Sequence, residues 1–371
     1  MPATTPSPAS QQFCRKATLA PRAAAVRTVE AFAKTCRNAP TLLWALLAAL
    51  SFGSCEIGEL YDPLVTETVK VRFPTGGDLD NVLDSLAASG AVPDTALVRR
   101  AIGRRDFKYR SGQFRLDSAW SAADIAKHID VGGQAEARVI LTNARTLGNM
   151  AANATRFIEL DSAELHEALL DPAWLDSVGY TPQTVIAIAI PNTYNVYWDV
   201  TAAELRERLL KEQSRFWDRD GRRARADSLG LTPTEVYTLA SIVESETKHK
   251  PEKPTVAGVY LNRLERGMAL QADPTVVFAM GDFTLRRVLL RHLEYDSPYN
   301  TYLYPGLPPG PIAMASISSI DAVLRPEDHD YYFFVTKGDG SRTHAFARDM
   351  RGHSRNIRKF QETLRARGIR R

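Results

Sequence analysis

The segment between Arg37 and Glu56 contains no charged residue. It separates a short basic stretch from a longer stretch with the composition of a folded protein. Its apolar run, LLWALLAALSFGSC at 42–55, approaches the roughly 17–25 residues that a membrane-spanning helix needs. Before position 40, Lys and Arg outnumber the single acid, Glu30. This bias predicts a basic cytoplasmic leader at 1–37 and a membrane segment at 38–56, with everything later outside the cytoplasm.

Two other interpretations of the apolar run remain open. A buried core helix would have the same composition, although a basic leader rich in Pro, Ala and Ser precedes this run. Alternatively, FGSC resembles a lipoprotein cleavage site that ends at Cys55, with Phe52 replacing the usual leucine. In both exported interpretations, the chain is expected at the cytoplasmic (inner) membrane, crossing it once or attached through a lipid.

Composition and motifs exclude several function classes. The chain is 44% hydrophobic and 24% charged, as in ordinary globular proteins, and its net charge is only +4. Basic residues near both ends are typical of solvated tails, so no nucleic-acid partner is expected. Cysteines occur only at 14, 36 and 55, and HExxH, CxxC, Walker, GxGxxG and GxSxG motifs are absent. We therefore expect no metal and no cofactor.

The periodicity after the apolar run predicts an α+β fold. A first α/β module is expected at 57–132, with a strand at 67–73, a strand pair around Ser111-Gly112 and a helix that Ser121 caps. A second region at 133–371 begins with a strand at 137–143. It continues with an apolar stretch at 184–200, an amphipathic helix with Leu205, Leu209 and Phe216 on one side, and a charged surface link at 218–230.

One later helix carries two glutamates in the sequence SIVESETKH. Thr232, Pro233 and Glu235 form a helix-start signature, with a cap, a first-turn proline and a capping box. Helical geometry places Glu246 on the apolar face of this helix, and Glu244 about 160° away from it. Glu246 is therefore either a structural anion paired with an arginine or a general acid in a partly dry site, with Thr247 beside it to orient the carboxyl.

The next segments predict the walls of a cleft. Asn262 and Arg263 project from a second amphipathic helix, and Asp273 is expected to cap a third, with Pro274 at its first position. The loop DSPYNTYLYPGLPPGPI at 296–312 is rich in Tyr and Pro, a composition suited either to a polysaccharide groove or to plain surface packing.

Four stretches together resemble one family, the MltG (YceG-like) endolytic murein transglycosylases. They are LASIVESET, VAGVYLNRLERGMALQADPTVVFAMG, SPYNTYLYPGLPPGPI and YYFFVTKGDGSRTHAFARDMRGHSRNI. The likeness is dense from about 232 to 360, with the catalytic core at about 230–360, and weaker from 60 to 230. Two segments depart from the pattern: AIAIPNTY, where Asn192 replaces a common acid, and NARTL, where EGxxL is common.

The resemblance implies an enzyme that cleaves the β-1,4 bond between N-acetylmuramic acid and N-acetylglucosamine in nascent glycan strands and leaves a 1,6-anhydro end. It also implies a membrane anchor, a LysM-like module, peptidoglycan strands as substrate and glycan-polymerising enzymes as neighbours. Glu246, followed by Thr247, matches the catalytic position, and Glu244 is a secondary candidate. Supporting or substrate-binding roles are expected for Asn262, Arg263, Gln271, Tyr299, Asn300, Tyr302 and His344.

A different class of function also fits the sequence. In this alternative the chain is a non-catalytic peptidoglycan-binding envelope protein, and Glu246 is a structural anion paired with Arg263. The two hypotheses differ in whether the carboxyl of Glu246 faces a groove or an arginine.

Overall fold

The structure is a computed structural model that describes residues 58–285 and 287–368. The predicted leader, the apolar segment 38–56 and Cys55 lie outside the described residues. Within residues 58–285 and 287–368, none of the helices is both long and apolar enough to cross a membrane. The chain divides into two units at Asp62, and the first contributes only a 3-10 turn, Glu59–Tyr61, to the described part.

The second unit begins with a small α/β arrangement. Strand β1 (Val69–Phe73) pairs antiparallel with β2 (Gly112–Leu116), from Val69 opposite Leu116 to Phe73 opposite Gly112. Helices α1 (Leu79–Ala88) and α2 (Thr95–Ile102) separate them, and α3 (Ala122–Val131) follows. The predicted cap at Ser121 is confirmed, because Ser121 forms a capping box with Asp124.

One predicted element in this part is wrong. The sequence around Ser111-Gly112 indicated a strand pair, but residues 107–111 have no strand and β2 begins at Gly112. The alternation that suggested a local hairpin instead buries Phe114 and Leu116 against β1, which lies about forty residues earlier in the sequence. Long-range pairing therefore decides the register here.

A second α/β arrangement follows and has its own core. Strand β3 (Ala137–Leu141) pairs antiparallel with β4 (Asn192–Val196). Between them are α4 (Leu147–Thr155), α5 (Ser162–Leu169), α6 (Pro172–Val178) and a 3-10 turn, Val185–Ile188. Helix α7 (Ala202–Asp218) closes this core with Leu205 and Leu209. The predicted Phe216 is only partly buried, and its neighbour Trp217 is buried in the core around the later helices instead.

The remaining residues form a helical region around one buried helix, α9 (Pro233–Glu246). The other helices and strands are α8 (Arg222–Ser228), a 3-10 turn (Lys250–Glu252), α10 (Lys253–Glu265), α11 (Asp273–Met280), α12 (Leu290–Leu293), α13 (Ile317–Leu324), the antiparallel pair β5 (Phe333–Thr336) and β6 (His344–Ala347), and α14 (Met350–Ala366).

The α+β class is confirmed by these mixed elements. The charged stretch at 218–230 is not the predicted surface link, because it contains α8. Arg222 of that helix is buried and its Nε lies 3.0 Å from Asp321 Oδ1, so the stretch packs against α13. Charge density alone suggested exposure, whereas an ion pair allows this arginine to be buried.

Candidate active site

Helix α9 positions both candidate glutamates at its C-terminal end. Its start follows the prediction: Thr232 Oγ1 accepts from Glu235 N at 3.2 Å, and Thr232 N donates to Glu235 Oε2 at 2.7 Å. Every residue from Val236 to Glu244 is buried. The helix ends at Glu246, because Thr247 is extended with φ −138° and ψ 135°. A fixed, buried helix thus holds Glu246 at its last turn.

Glu246 borders a groove with a volume of about 850 Å³. Four parts of the chain contribute its walls: the loop after β3 with the start of α4, the end of α9, helix α11 with the loop behind it, and the segment before α13. The lining residues include Asn143, Arg145, Asn149, Lys248, Asp273, Phe278, Phe283, Arg287, Ala313 and Met314. The groove is large enough for a ligand of several rings, since small-molecule pockets commonly measure about 300–1,000 Å³.

The carboxyl of Glu246 is half-buried and accepts a hydrogen bond from Tyr260 of α10, whose hydroxyl lies 2.7 Å from Oε1. Burial is the main cause that raises the pKa of Glu246, to about 7. The Tyr260 hydrogen bond and the positive charge of Arg263 act in the opposite direction, while the negative charge of Asp273 adds to the increase. Glu246 can therefore carry a proton at neutral pH and release it.

Glu244 has the opposite environment. It is only 5% exposed, and its Oε2 lies 2.6 Å from Lys253 Nζ and accepts from Ser316 and Ser319. Burial alone would raise its pKa, but the hydrogen bonds from Lys253, Ser316 and Ser319 lower it to about 2. Glu244 thus remains ionised and links α9 to α10 and α13. The prediction that only Glu246 faces protein is wrong, because nearly the whole circumference of α9 is buried.

Asp273 and Tyr302 form a second pair near Glu246. Asp273 is the first residue of α11 rather than its cap, since Ala272 occupies the N-cap position. Its Oδ1 accepts from the hydroxyl of Tyr302 at 2.6 Å. Burial and this contact with Asp273 both raise the pKa of Tyr302, so the phenol keeps its proton. Of the predicted loop residues, Tyr302 is therefore tied to a residue that lines the groove.

Thr247 and His344 meet at a different carboxylate. Glu252 Oε2 accepts from Thr247 Oγ1 at 3.2 Å and lies 2.7 Å from His344 Nδ1, and Glu252 Oε1 accepts from His344 N at 2.6 Å. Thr247 therefore does not orient Glu246, contrary to the expectation. Instead, the carboxylate of Glu252 links the end of α9, through Thr247, to strand β6, through His344.

Asn262, Arg263 and Gln271 support backbone rather than line the groove. Asn262 Nδ2 donates to the carbonyls of His329 and Tyr331 at 2.8 and 3.1 Å. Arg263 donates to the carbonyls of Tyr332, Ala269 and Leu270, and to Gln271 Oε1 at 3.3 Å. Gln271 has a φ of 52°, in the left-handed region that side chains rarely adopt, so the contact with Arg263 holds a sharp turn before α11.

Tyr299 and Asn300 shape the loop behind α11. The Tyr299 ring packs on Phe278 with centroids 4.8 Å apart, and Phe278 lines the groove. Asn300 is fully buried, and its Nδ2 donates to the carbonyls of Leu293 and Tyr295 at 2.9 and 2.8 Å. Asn300 therefore determines the loop conformation and is not free to bind a sugar, contrary to the expectation.

Sequence reasoning did not identify Tyr260, Lys253 or Arg145 as parts of this site. Tyr260 and Lys253 lie on α10, which packs against α9, so they reach the two glutamates only after the helices meet. Arg145 lies in the loop after β3, about a hundred residues before Glu246 in the sequence. Only the fold brings this loop to the groove. A signal was present only for Lys253, as a cation close in sequence to Glu244.

The fold and this site define a class of protein. A titratable carboxyl with a pKa raised by burial, placed in a groove with tyrosines and amides nearby, is typical of a general acid–base enzyme acting on a polar ligand. Among residues 58–285 and 287–368, no group of three or more His, Cys, Asp or Glu is arranged to hold a metal ion.

The chain belongs to the YceG-like family, whose model matches residues 71–359. The endolytic murein transglycosylase of Bacillus subtilis is 42% identical over 126 residues, 34% of each chain. That of Streptococcus pneumoniae is 24% identical and covers 78% of this chain and 58% of its own length. The chain thus spans between a third and about three fifths of these relatives. A crystal structure of a yceG-like protein from Listeria monocytogenes has the same fold, with a TM-score of 0.50 over 78% of this chain and 99% of its own, at 24% identity.

Proposed function

We propose that this protein is an endolytic lytic transglycosylase that cleaves the β-1,4 bond between N-acetylmuramic acid and N-acetylglucosamine in peptidoglycan. The single observation that carries the proposal is the carboxyl of Glu246, which borders the groove with a pKa raised to about 7. The relatives named endolytic murein transglycosylases support the choice of substrate.

In the first step, the protonated carboxyl of Glu246 gives its proton to the glycosidic oxygen, and the bond from that oxygen to C1 of the muramic ring breaks. The electron pair leaves with the N-acetylglucosamine hydroxyl, and positive charge develops at C1. Because Tyr260 already donates to Oε1, Oε2 is the oxygen of Glu246 that is available to carry the transferred proton. Proton transfer by a positioned group contributes roughly 10²–10⁴-fold to the rate.

In the second step, the muramic 6-hydroxyl attacks C1 and gives its proton to the Glu246 carboxylate. The product has a 1,6-anhydro ring, and Glu246 is protonated again for the next cycle. Hydrolysing glycosidases need a second carboxylate at a defined distance to serve as base or nucleophile. Here the nucleophile belongs to the substrate, so proximity replaces that second group, and one carboxyl with a pKa near 7 serves both steps.

The test compares Glu246→Gln with the unchanged protein on purified murein, with products analysed by mass spectrometry. We expect anhydro-ended products from the unchanged protein, at least a hundredfold less from Glu246→Gln, and equal binding of murein by both. Glu265→Gln is the matched control, because Glu265 is exposed on α10. If neither protein forms anhydro-ended products while both bind murein, the chain is instead the non-catalytic binder. Product release by Glu246→Gln at the unchanged rate would remove Glu246 from the catalytic role.

The competing hypothesis required an ion pair between Glu246 and Arg263. In the described residues, Arg263 makes its hydrogen bonds to three backbone carbonyls and to Gln271, and Glu246 accepts from Tyr260 instead. This geometry supports the enzyme over the binder.

We also propose that the chain crosses the cytoplasmic membrane once through residues 38–56, with the groove outside the cytoplasm beside glycan-polymerising enzymes. The α/β arrangement of β1, α1, α2, β2 and α3 supports assigning residues 57–132 to a LysM-like module, ahead of the YceG-like region at 133–371. Mass measurement of the mature N-terminus tests the anchor. A full-length mass supports the membrane-spanning segment, whereas a cleaved chain with a lipid on Cys55 would show that the protein is attached through that lipid instead.

A further inference from the structure

Two arginines and an aromatic residue line part of the groove, and we call Arg145, Phe283 and Arg287 the arginine wall. The guanidinium carbon of Arg145 lies 4.9 Å from the centre of the Phe283 ring, and its Nη1 donates to the Phe283 carbonyl at 3.3 Å. The loop after β3 and the loop after α11 therefore meet at this wall. Arg145 is held in a defined position although its side chain is exposed.

The positive charge of the arginine wall is not neutralised by the protein. Within residues 58–285 and 287–368, neither Arg145 nor Arg287 has a carboxylate within salt-bridge distance. Among the described lining residues, the third cation, Lys248, already lies 3.3 Å from Glu244. Two guanidinium groups thus remain available to a ligand in the groove.

The acidic groups that line the groove come from other elements, the end of α9 and the start of α11. Glu244 is paired with Lys253, so Glu246 and Asp273 are the carboxyls left on the groove surface. A carboxylate at Asp273 opposes an anionic group of the ligand near it, whereas the arginine wall attracts one. The groove thus suits a ligand with a neutral sugar backbone and an anionic branch.

We propose that the arginine wall binds carboxylates of the short peptide that muramic acid residues of murein carry, so that the preferred substrate is a peptide-bearing strand rather than bare glycan. This inference rests on the proposed function, because it takes murein as the ligand. Guanidinium groups bind carboxylates through two parallel hydrogen bonds, and the Phe283 ring offers an apolar surface to the alanine methyls of such a peptide. The groove volume of about 850 Å³ leaves room for a branch beside the sugars.

The experiment measures binding of uncut strands, and it is therefore independent of catalysis. The full-length Glu246→Gln protein in detergent is titrated with short muramyl strands that carry their peptides, and with stripped strands. The stripped strands are made with an amidase, and the lactyl carboxylates that this cleavage exposes are converted to methylamides so that they carry no anionic branch. The comparison is repeated with Arg287→Glu added. Arg351→Glu is the matched control, since Arg351 is an exposed arginine on α14 that does not line the groove.

We expect the Glu246→Gln protein to bind peptide-bearing strands about tenfold more tightly than stripped strands, as for loss of one hydrogen bond to a charged group. Arg287→Glu should abolish this preference, and Arg351→Glu should retain it. Equal binding of both strands by Glu246→Gln, or a preference that survives Arg287→Glu, would overturn the inference. Neither result bears on whether the unchanged protein forms anhydro ends, so failure of the proposed function is detected separately.

Discussion

Glu244 and Glu246 lie two residues apart on α9, yet their pKa values are about 2 and about 7. Both side chains are removed from water, and burial raises both pKa values. The difference arises from the partners: Lys253, Ser316 and Ser319 stabilise the ionised form of Glu244, whereas a single phenol donates to Glu246. When the pKa values of two neighbouring carboxyls differ in this way, one carboxyl stays ionised and stabilises the structure, and the other can transfer a proton.

The raised pKa of Glu246 predicts the pH dependence of the reaction. Because the first step needs the protonated carboxyl, kcat/KM should be constant below about pH 6 and fall as the pH rises through about 7. Initial rates on soluble murein strands between pH 5 and 9 measure this. A midpoint near 4.5, the ordinary value for glutamate, would contradict the assigned environment.

The same pKa has a consequence for stability. Between pH 4.5 and about 7, the unfolded chain has lost the Glu246 proton while the folded chain keeps it, so folding stability falls as the pH rises. Glu246→Gln lacks this loss. We therefore expect the variant to be more stable than the unchanged protein at pH 8 and equal to it near pH 4, as measured by denaturant unfolding. A constant difference across this range would show that the carboxyl is not buried.

Tyr260 is expected to position the reacting carboxyl. Tyr260→Phe keeps the buried ring, which packs edge-on against Phe334 at 5.8 Å, but removes the donor to Glu246 Oε1. Because that hydrogen bond stabilises the carboxylate, its loss should raise the pKa of Glu246 and move the midpoint of the activity profile up by about one unit, as expected for a hydrogen bond to a charged group.

Tyr237→Phe is the matched control, since Tyr237 is equally buried on α9 but donates to the carbonyl of Ala189 at 2.8 Å. It should reduce stability without moving the midpoint. If Tyr260→Phe lowers the unfolding temperature but leaves the midpoint of the pH–activity profile unchanged, Tyr260 contributes only to packing.

At the scale of elements, the ion pair between Lys253 and Glu244 joins α10 to α9, and the serines of α13 and its N-cap complete it. Lys253→Met leaves an ionised carboxylate buried, which should lower the free energy of unfolding by about 3–5 kcal/mol. Denaturant unfolding at pH 7 measures this loss. Adding Glu244→Gln to Lys253→Met should recover much of the stability, because the unpaired buried carboxylate is then removed. If the double variant is no more stable than Lys253→Met, charge burial is not the cause.

The elements also show where the sequence was informative. Local signals were sufficient for the start of α9, because Thr232 and Glu235 lie within one turn of each other. Helical geometry correctly placed Glu246 next to other protein groups, because the residues that define its face lie within two turns of it in the sequence. Local signals did not reveal that α9 is buried on nearly all sides, since that depends on α10 and α13. They also assigned Asn300 a role in ligand binding, because the sequence does not distinguish an exposed asparagine from one that is buried and holds a loop.

At the scale of the whole molecule, the groove depends on parts of the chain that are far apart in sequence. Its lining joins Asn143 and Arg145, after β3, to residues at the end of α9 and before α13. Asn143 Nδ2 also donates to Glu244 Oε1 at 3.1 Å, so the second α/β arrangement contacts the carboxylate network directly. The sequence likeness is densest from 232 to 360, but a fragment limited to that region would lack one wall.

The last prediction follows from this dependence. A fragment of residues 63–371 keeps the whole compact unit that contains every lining residue, whereas a fragment of residues 230–371 loses Asn143 and Arg145 together with β3 and β4. The longer fragment should unfold cooperatively and cut soluble strands at a rate within about twofold of the full chain, because it retains every residue that lines the groove. The shorter one should be inactive, because the core that positions the missing wall, with Val139 and Leu205, is absent and the apolar surface it covers becomes exposed. Calorimetry and product analysis on both fragments measure this. Full activity in the shorter fragment would show that the α/β arrangement before α8 contributes nothing to the site.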